Sequence, residues 1–222
     1  MPLPKQSKIY HLKIIEVGDG EVGKTTLLDN FKKREFKEEY KMTVAPGIAE
    51  GDMDIFNDKA KIVFWDFPGQ ERFDITRVGY YKGAKAALLV FDLTRYSTFS
   101  NLGKWEGDLA EYAGLSTSEI IYIGNKSDLT HEIKVGEDEF KEYVKKKNGL
   151  VGLWTSAKTG QNVGRAFEAA VYNALFNYKF SKGEEFSGTM FKKKIESLLK
   201  GQDKEGKPKI KGPLYISPSV YQ

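Results

Sequence analysis

The sequence predicts an α/β fold: a six-stranded, mostly parallel sheet with one antiparallel edge strand, covered by helices on both faces. Three observations predict it. Short apolar runs alternate with segments of helical period along most of the chain, the pattern of β-α units whose strands pair in parallel. Two strand-like segments, 48–56 and 61–65, are separated by the hairpin-type turn Asn57-Asp58, so this pair is expected to run antiparallel. The first strand runs directly into a glycine-rich turn and a helix, which puts a ligand at the carboxyl end of the sheet.

Element by element, an apolar strand over 9–17 leads through the glycine turn into a helical pattern at 24–31, followed by a polar stretch at 32–42. After the hairpin come three further apolar strands at 86–91, 120–123 and 150–154, separated by helical patterns near 98–112, 137–147 and 163–176. The body is expected to close near residue 178, leaving 179–222 as a basic extension. In that extension Met190, Phe191, Ile195, Leu198 and Leu199 recur at roughly helical spacing beside Lys192, Lys193 and Lys194, which predicts a short helix over 188–200. The Lys/Gly/Pro-rich segment after Gly201 is expected to be disordered.

A length of 222 residues and 40% hydrophobic content suit one domain with a sizeable core plus an extension. No run approaches the length of apolar chain that crosses a bilayer, and the N-terminus lacks the apolar stretch of an export signal. With no cysteine, disulfides, thiolate metal sites, cysteine nucleophiles, prenylation and palmitoylation are excluded; Pro2 excludes myristoylation. A cytoplasmic, monomeric protein without a lipid anchor is therefore expected. The formal charge of +4 is uneven: residues 179–222 hold ten lysines against five acids, so the body carries no basic footprint for nucleic acid.

Two motifs carry chemistry. Gly18-Asp19-Gly20-Glu21-Val22-Gly23-Lys24-Thr25 is a complete G-x-x-x-x-G-K-[ST] run between a strand and a helix. Its glycines let the backbone wrap a phosphate chain, the amides and the helix N-terminus supply partial positive charge, Lys24 suits the β- and γ-phosphates, and the Thr25 hydroxyl suits Mg²⁺. Asn125-Lys126-Ser127-Asp128 follows a later strand. A carboxylate at Asp128 can accept from both guanine N1–H and the exocyclic amine, whereas adenine offers no such donor pair. Lys126 can lay its stem over the purine and Asn125 can brace the phosphate loop, while Ser156, Ala157 and Lys158 would turn backbone amides towards guanine O6. Alone, an Asn/Asp turn is an ordinary loop. Behind a phosphate loop it names the base.

These motifs, together with the segments 65–73 (WDFPGQERF), 80–94 (YYKGAKAALLVFDLT) and 155–163 (TSAKTGQNV), resemble the Ras superfamily over residues 9–178. The phosphate loop is closest to the Rho type and the segments 65–73 and 80–94 to the Rab type. The resemblance implies a P-loop NTPase G domain that binds GTP and GDP with Mg²⁺, hydrolyses GTP slowly, and meets effectors, an exchange factor and a GTPase-activating protein. It also implies roles. Thr43, nineteen residues after Lys24, would ligate the metal; Phe36 would pack on guanine; Tyr40 would close over the phosphates; and Thr26 would join the phosphate cradle. Asp66 would hold a metal-bound water, Gly69 would sense the γ-phosphate and Gln70 would orient the attacking water.

Departures from the family pattern accompany the matches. Val44-Ala45-Pro46-Gly47 replaces the usual Ile-Gly run, Pro68 stands where alanine is usual, and Glu21 puts an acid into the phosphate loop. Tyr40 occupies the position of a first-switch arginine, so no arginine finger comes in cis from that loop. Trp65, Trp105 and Trp154 read as packing residues, His11 and His131 as solitary, and Lys145, Lys146 and Lys147 as a solvated helix end. The alternatives are a nucleotide-bound interaction protein with little turnover and, more remotely, a P-loop kinase or ATPase. The tail either docks on protein, which its lack of an anchor favours, or makes at most weak electrostatic contact with a membrane.

Overall fold

The computed structural model describes residues 7–35, 47–55, 58–66, 74–183 and 214–216, with Lys193 and Ser197. The strands are β1 (Ile9–Val17), β2 (Ile48–Ile55), β3 (Asp58–Asp66), β4 (Ala84–Asp92), β5 (Ile120–Asn125), β6 (Val151–Trp154) and β7 (Leu214–Ile216). The helices are α1 (Lys24–Glu35), α2 (Asp74–Tyr81), α3 (Tyr96–Ser100), α4 (Leu102–Asp108), α5 (Glu137–Lys146) and α6 (Val163–Ser181). The strands form one sheet in the order β2-β3-β1-β4-β5-β6-β7. β3, β1, β4, β5 and β6 run parallel, and the β2–β3 pair is antiparallel with Ile55 opposite Asp58. These are the six strands expected from the sequence.

The seventh is a correction. β7 lies antiparallel along β6, Val151 opposite Ile216 and Leu153 opposite Leu214, so the segment after Gly201 is not without structure throughout. The physical reason is the edge that β6 would otherwise expose, a row of unpaired backbone groups that a strand from any source can satisfy. α6 also runs on to Ser181, beyond the body end expected at 178, and its Lys179 ammonium donates to Asp58 Oδ2 (2.8 Å), pinning the helix to the start of β3. Of the tail helix expected over 188–200, Lys193 and Ser197 are helical and exposed; the rest lies outside the described residues.

Strands such as β4 and β5 are apolar almost throughout because helices cover both faces. On one face α1 and α6 bury Leu12, Ile14, Phe31, Phe64 and Phe167, where Phe31 stacks on Phe167 at 4.4 Å between ring centres. On the other lie Ile15, Val17, Phe91, Phe99, Trp105 and Phe140. The helical pattern read as one element over 98–112 is interrupted: α3, α4 and a π-helical turn, Leu109–Ala113, follow one another and stop at Gly114, whose φ of +68° ends the helix. Glu106 on α4 is buried and accepts from Tyr122 (3.0 Å), Tyr143 (3.0 Å) and Lys147 (2.5 Å), which ties α4, β5 and the end of α5 together. Lys147 is thus a tether rather than part of a solvated helix end.

Candidate functional site

All the motif residues described lie at the carboxyl ends of β1, β3, β4, β5 and β6. Between β1 and α1 the chain turns on three residues with positive φ: Gly18 (+140°), Glu21 (+63°) and Gly23 (+97°). A Cβ on Gly18 would stand 2.0 Å from the Val90 carbonyl oxygen, and one on Gly23 2.4 Å from Asn125 Nδ2, so both positions require glycine for room as well as for φ. Glu21 has no such excuse and holds a left-handed conformation at a cost of about 1 kcal/mol. Lys24 is buried, and its ammonium donates to the carbonyls of Gly18 (2.9 Å) and Asp19 (2.8 Å) inside the loop it belongs to. Burial lowers its pKa from the ordinary lysine value. A buried cation in a glycine-turned loop at the N-terminus of α1 is suited to a phosphate.

The second loop is joined to the first by Asn125. Its Nδ2 donates to the Val22 carbonyl (2.8 Å), and its Oδ1 accepts from Thr155 Oγ1 (3.1 Å) and the Ala157 amide (3.0 Å). One side chain therefore fixes the phosphate loop, β5 and the end of β6. Ser156 Oγ donates to Asp128 Oδ1 (2.5 Å) and orients that carboxylate. The amides of Ser156 and Ala157 donate to Gln161 O (3.1 Å) and to Asn125 Oδ1 (3.0 Å), and Ser156 serves the base loop through its hydroxyl.

A set of contacts that the motifs did not reveal braces the two loops from the side. Asp92, at the end of β4, is buried and accepts from Lys126 Nζ (2.8 Å), Arg95 Nε (2.9 Å), the Thr94 amide (2.9 Å) and the Thr94 hydroxyl (2.7 Å). Burial pushes its carboxyl up, but the Lys126 and Thr94 hydrogen bonds prevail and hold it below the usual aspartate value. Arg95 reaches on to the Gly20 carbonyl (2.7 Å), so Lys126 of the base loop and Gly20 of the phosphate loop share one ionic brace. Asp19 is held by Asn101 Nδ2 (2.8 Å) and by the indole NH of buried Trp105 (2.7 Å). Trp105 thus packs, as expected, and also positions the loop. Only Asp92 left a trace in the sequence, as a charge closing an apolar strand.

The third part of the site lies beneath Thr25. The Thr25 hydroxyl donates to Asp66 Oδ2, while Asp66 Oδ1 is buried with no hydrogen-bond partner among the described residues. Burial raises the Asp66 pKa, opposed by the Thr25 hydrogen bond. A hard-oxygen set of a hydroxyl and a carboxylate with an unsatisfied oxygen fits Mg²⁺, which favours oxygen ligands and retains waters. Thr26 is exposed at the start of α1. Lys158 is exposed beyond the base loop. Phe36, Tyr40, Thr43, Gly69 and Gln70 lie outside the described residues, as do Pro46 and Pro68.

The Ras family model matches residues 13–175. The Ras-related protein YPT3 of Nicotiana plumbaginifolia is 37% identical over 179 residues, 79% of this chain and 81% of that protein. The GTP-binding protein ypt3 of Schizosaccharomyces pombe is 35% identical over 179 residues, 79% of this chain and 83% of that one. The Ras-related protein RABA6a of Arabidopsis thaliana is 40% identical over 158 residues, 71% and 67% of the two chains.

Proposed function

The chain belongs to the Ras family of small GTPases and is Rab-like, a GTP-binding switch that hydrolyses GTP to GDP and phosphate, and we propose that the residues described above carry this activity as follows. The phosphates enter the loop over 18–25, where the backbone amides and the buried Lys24 ammonium meet their charge. Asp128, oriented by Ser156, pairs with the guanine edge, and Asn125 keeps base and phosphate loops at a fixed separation. The observation that carries the reading is this Asn125 bridge, which joins a guanine-type loop to a phosphate loop in a chain of this family.

Thr25, Thr43 and Asp66, the last through a water, are the residues proposed to hold Mg²⁺; Thr25 and Asp66 offer fitting oxygens, one of them without a donor. When bound, the ion neutralises charge on the β- and γ-phosphates. Gln70 orients the attacking water, and Gly69, Phe36, Tyr40 and Thr26 complete the nucleotide contacts. With no arginine from the first switch in cis, turnover alone is slow, and an activating partner adds roughly 10³ to 10⁵-fold. An exchange factor and effectors complete the partner set. Among the described residues no helix is long and apolar enough to cross a membrane. The protein is read as a cytoplasmic monomer whose basic tail touches anionic lipid weakly at most. The pairing of β7 with β6 supports a tail that docks on its own body.

Identification of the co-purifying nucleotide, followed by single-turnover hydrolysis, tests the reading. GDP or GTP is expected, with guanine preference of roughly 10⁴ or more lost in Asp128→Ala. Equal affinity of the unmutated protein for ATP and GTP overturns it. Gln70→Leu is expected to bind GTP and lose most hydrolysis; a parent rate in that variant removes Gln70 from its role. The reading of a nucleotide-bound protein without turnover is not favoured.

A further inference from the structure

We propose that Glu16 is a second carboxylate of the divalent-cation site, acting beside Asp66 on the ion's water shell. Glu16 sits on β1 in parallel register with Asp66 on β3, so the two side chains stand side by side on one face of the sheet. Glu16 is fully buried, and neither of its carboxyl oxygens has a hydrogen-bond partner among the described residues; Asp66 Oδ1 is in the same position. Three of the four oxygens of this pair therefore lack a donor, and the fourth accepts from Thr25. Two neighbouring carboxylates, one fully buried and the other with one oxygen buried, share a single donor, so they repel each other and lose hydration, an arrangement that a proton or a cation must answer.

Neutralisation from within the protein is incomplete. The charged groups around Glu16 are Asp66 and Asp29, which oppose its ionisation, and Lys24 and Lys32, which favour it. Lys32 is also paired with Asp29 (3.5 Å), and Lys24 is bound to two loop carbonyls. A metal's outer partners tune its affinity, and losing one typically costs about 10 to 100-fold.

The inference rests on the nucleotide reading above, and the test separates the two. Release of a fluorescent GDP analogue is followed against free Mg²⁺ for the full chain and for Glu16→Gln, which keeps shape and removes charge. The Mg²⁺ concentration for half-maximal retention is expected to rise about 10 to 100-fold in the variant. A midpoint within about twofold of the parent overturns the proposal and makes Glu16 a neutral core group. Should Glu16→Gln fail to fold, Glu16→Met in the same release assay decides: a midpoint raised about 10-fold or more upholds the proposal, and one within about twofold of the parent overturns it. Failure of the parent to retain GDP at any Mg²⁺ concentration overturns the nucleotide reading itself, and this assignment with it.

Discussion

Two buried carboxylates close neighbouring strands, and they could hardly be treated more differently. Asp92, ending β4, has four donors from three residues; Glu16, near the end of β1, has none among the described residues. The first is depressed in pKa and the second raised, although both are removed from water. Burial alone therefore does not determine the behaviour of a charge; the donors brought to it do. Where the fold supplies them, as around Asp92, the carboxylate is structural and joins Lys126 to Arg95. Where it does not, as at Glu16 and Asp66 Oδ1, the unmet demand falls where a metal ion and phosphates are expected.

The largest expected effect breaks the satisfied side. Asp92→Ala strands Lys126 and Arg95 and should cost about 3–5 kcal/mol in chemical denaturation, with weaker nucleotide retention. A loss under about 1 kcal/mol would mean that the brace is redundant. Glu16→Leu should shift stability in the opposite direction, by a gain of about 1–3 kcal/mol in nucleotide-free, Mg²⁺-free protein, since an unpartnered polar group gives way to carbon. Equal signs in these two experiments would erase the contrast. Arg95→Ala removes a half-exposed link to Gly20 and should cost only about 1–2 kcal/mol, seen as faster GDP release at fixed Mg²⁺.

The smallest effect concerns acid. The folded pKa of Asp92 lies below its ordinary value of 3.8, so its contribution is present above that value and is lost as pH falls through the folded pKa. Thermal unfolding followed downward from about pH 4 should show a slope that is reduced in Asp92→Asn. An unchanged slope would place the acid sensitivity elsewhere.

Legibility in the sequence follows the same division. β1 was readable to the residue because its apolar run ends abruptly at a glycine, and the two loops because each is a contiguous motif. The segment 98–112 read as one helix because its apolar period continues across the breaks at Asn101 and Leu109, which backbone geometry imposes. The Asn125 link to Val22 was readable from its motif, but the side brace was hidden because its members are far apart: Lys126 reaches Asp92, Arg95 reaches Gly20, and Trp105 reaches Asp19. Glu16 did offer a signal, a lone charge inside the apolar run Ile14-Ile15-Glu16-Val17, but only the β1–β3 register reveals its neighbour. β7 gave none, since three residues in a Lys/Gly/Pro-rich stretch become a strand only when an edge is available.

That last strand also sets an order of events. Val151 pairs with Ile216 across 65 positions of chain, so the loop-closure entropy must be met before any ladder bond is gained. β7 should therefore attach after the other six strands have assembled, at the downhill end of the folding route. A contact formed that late contributes little to the rate of folding and acts on the rate of escape: cutting the chain before Leu214 should leave refolding nearly unchanged and accelerate unfolding, so that the C-terminal strand works as a kinetic latch on a body that is already folded.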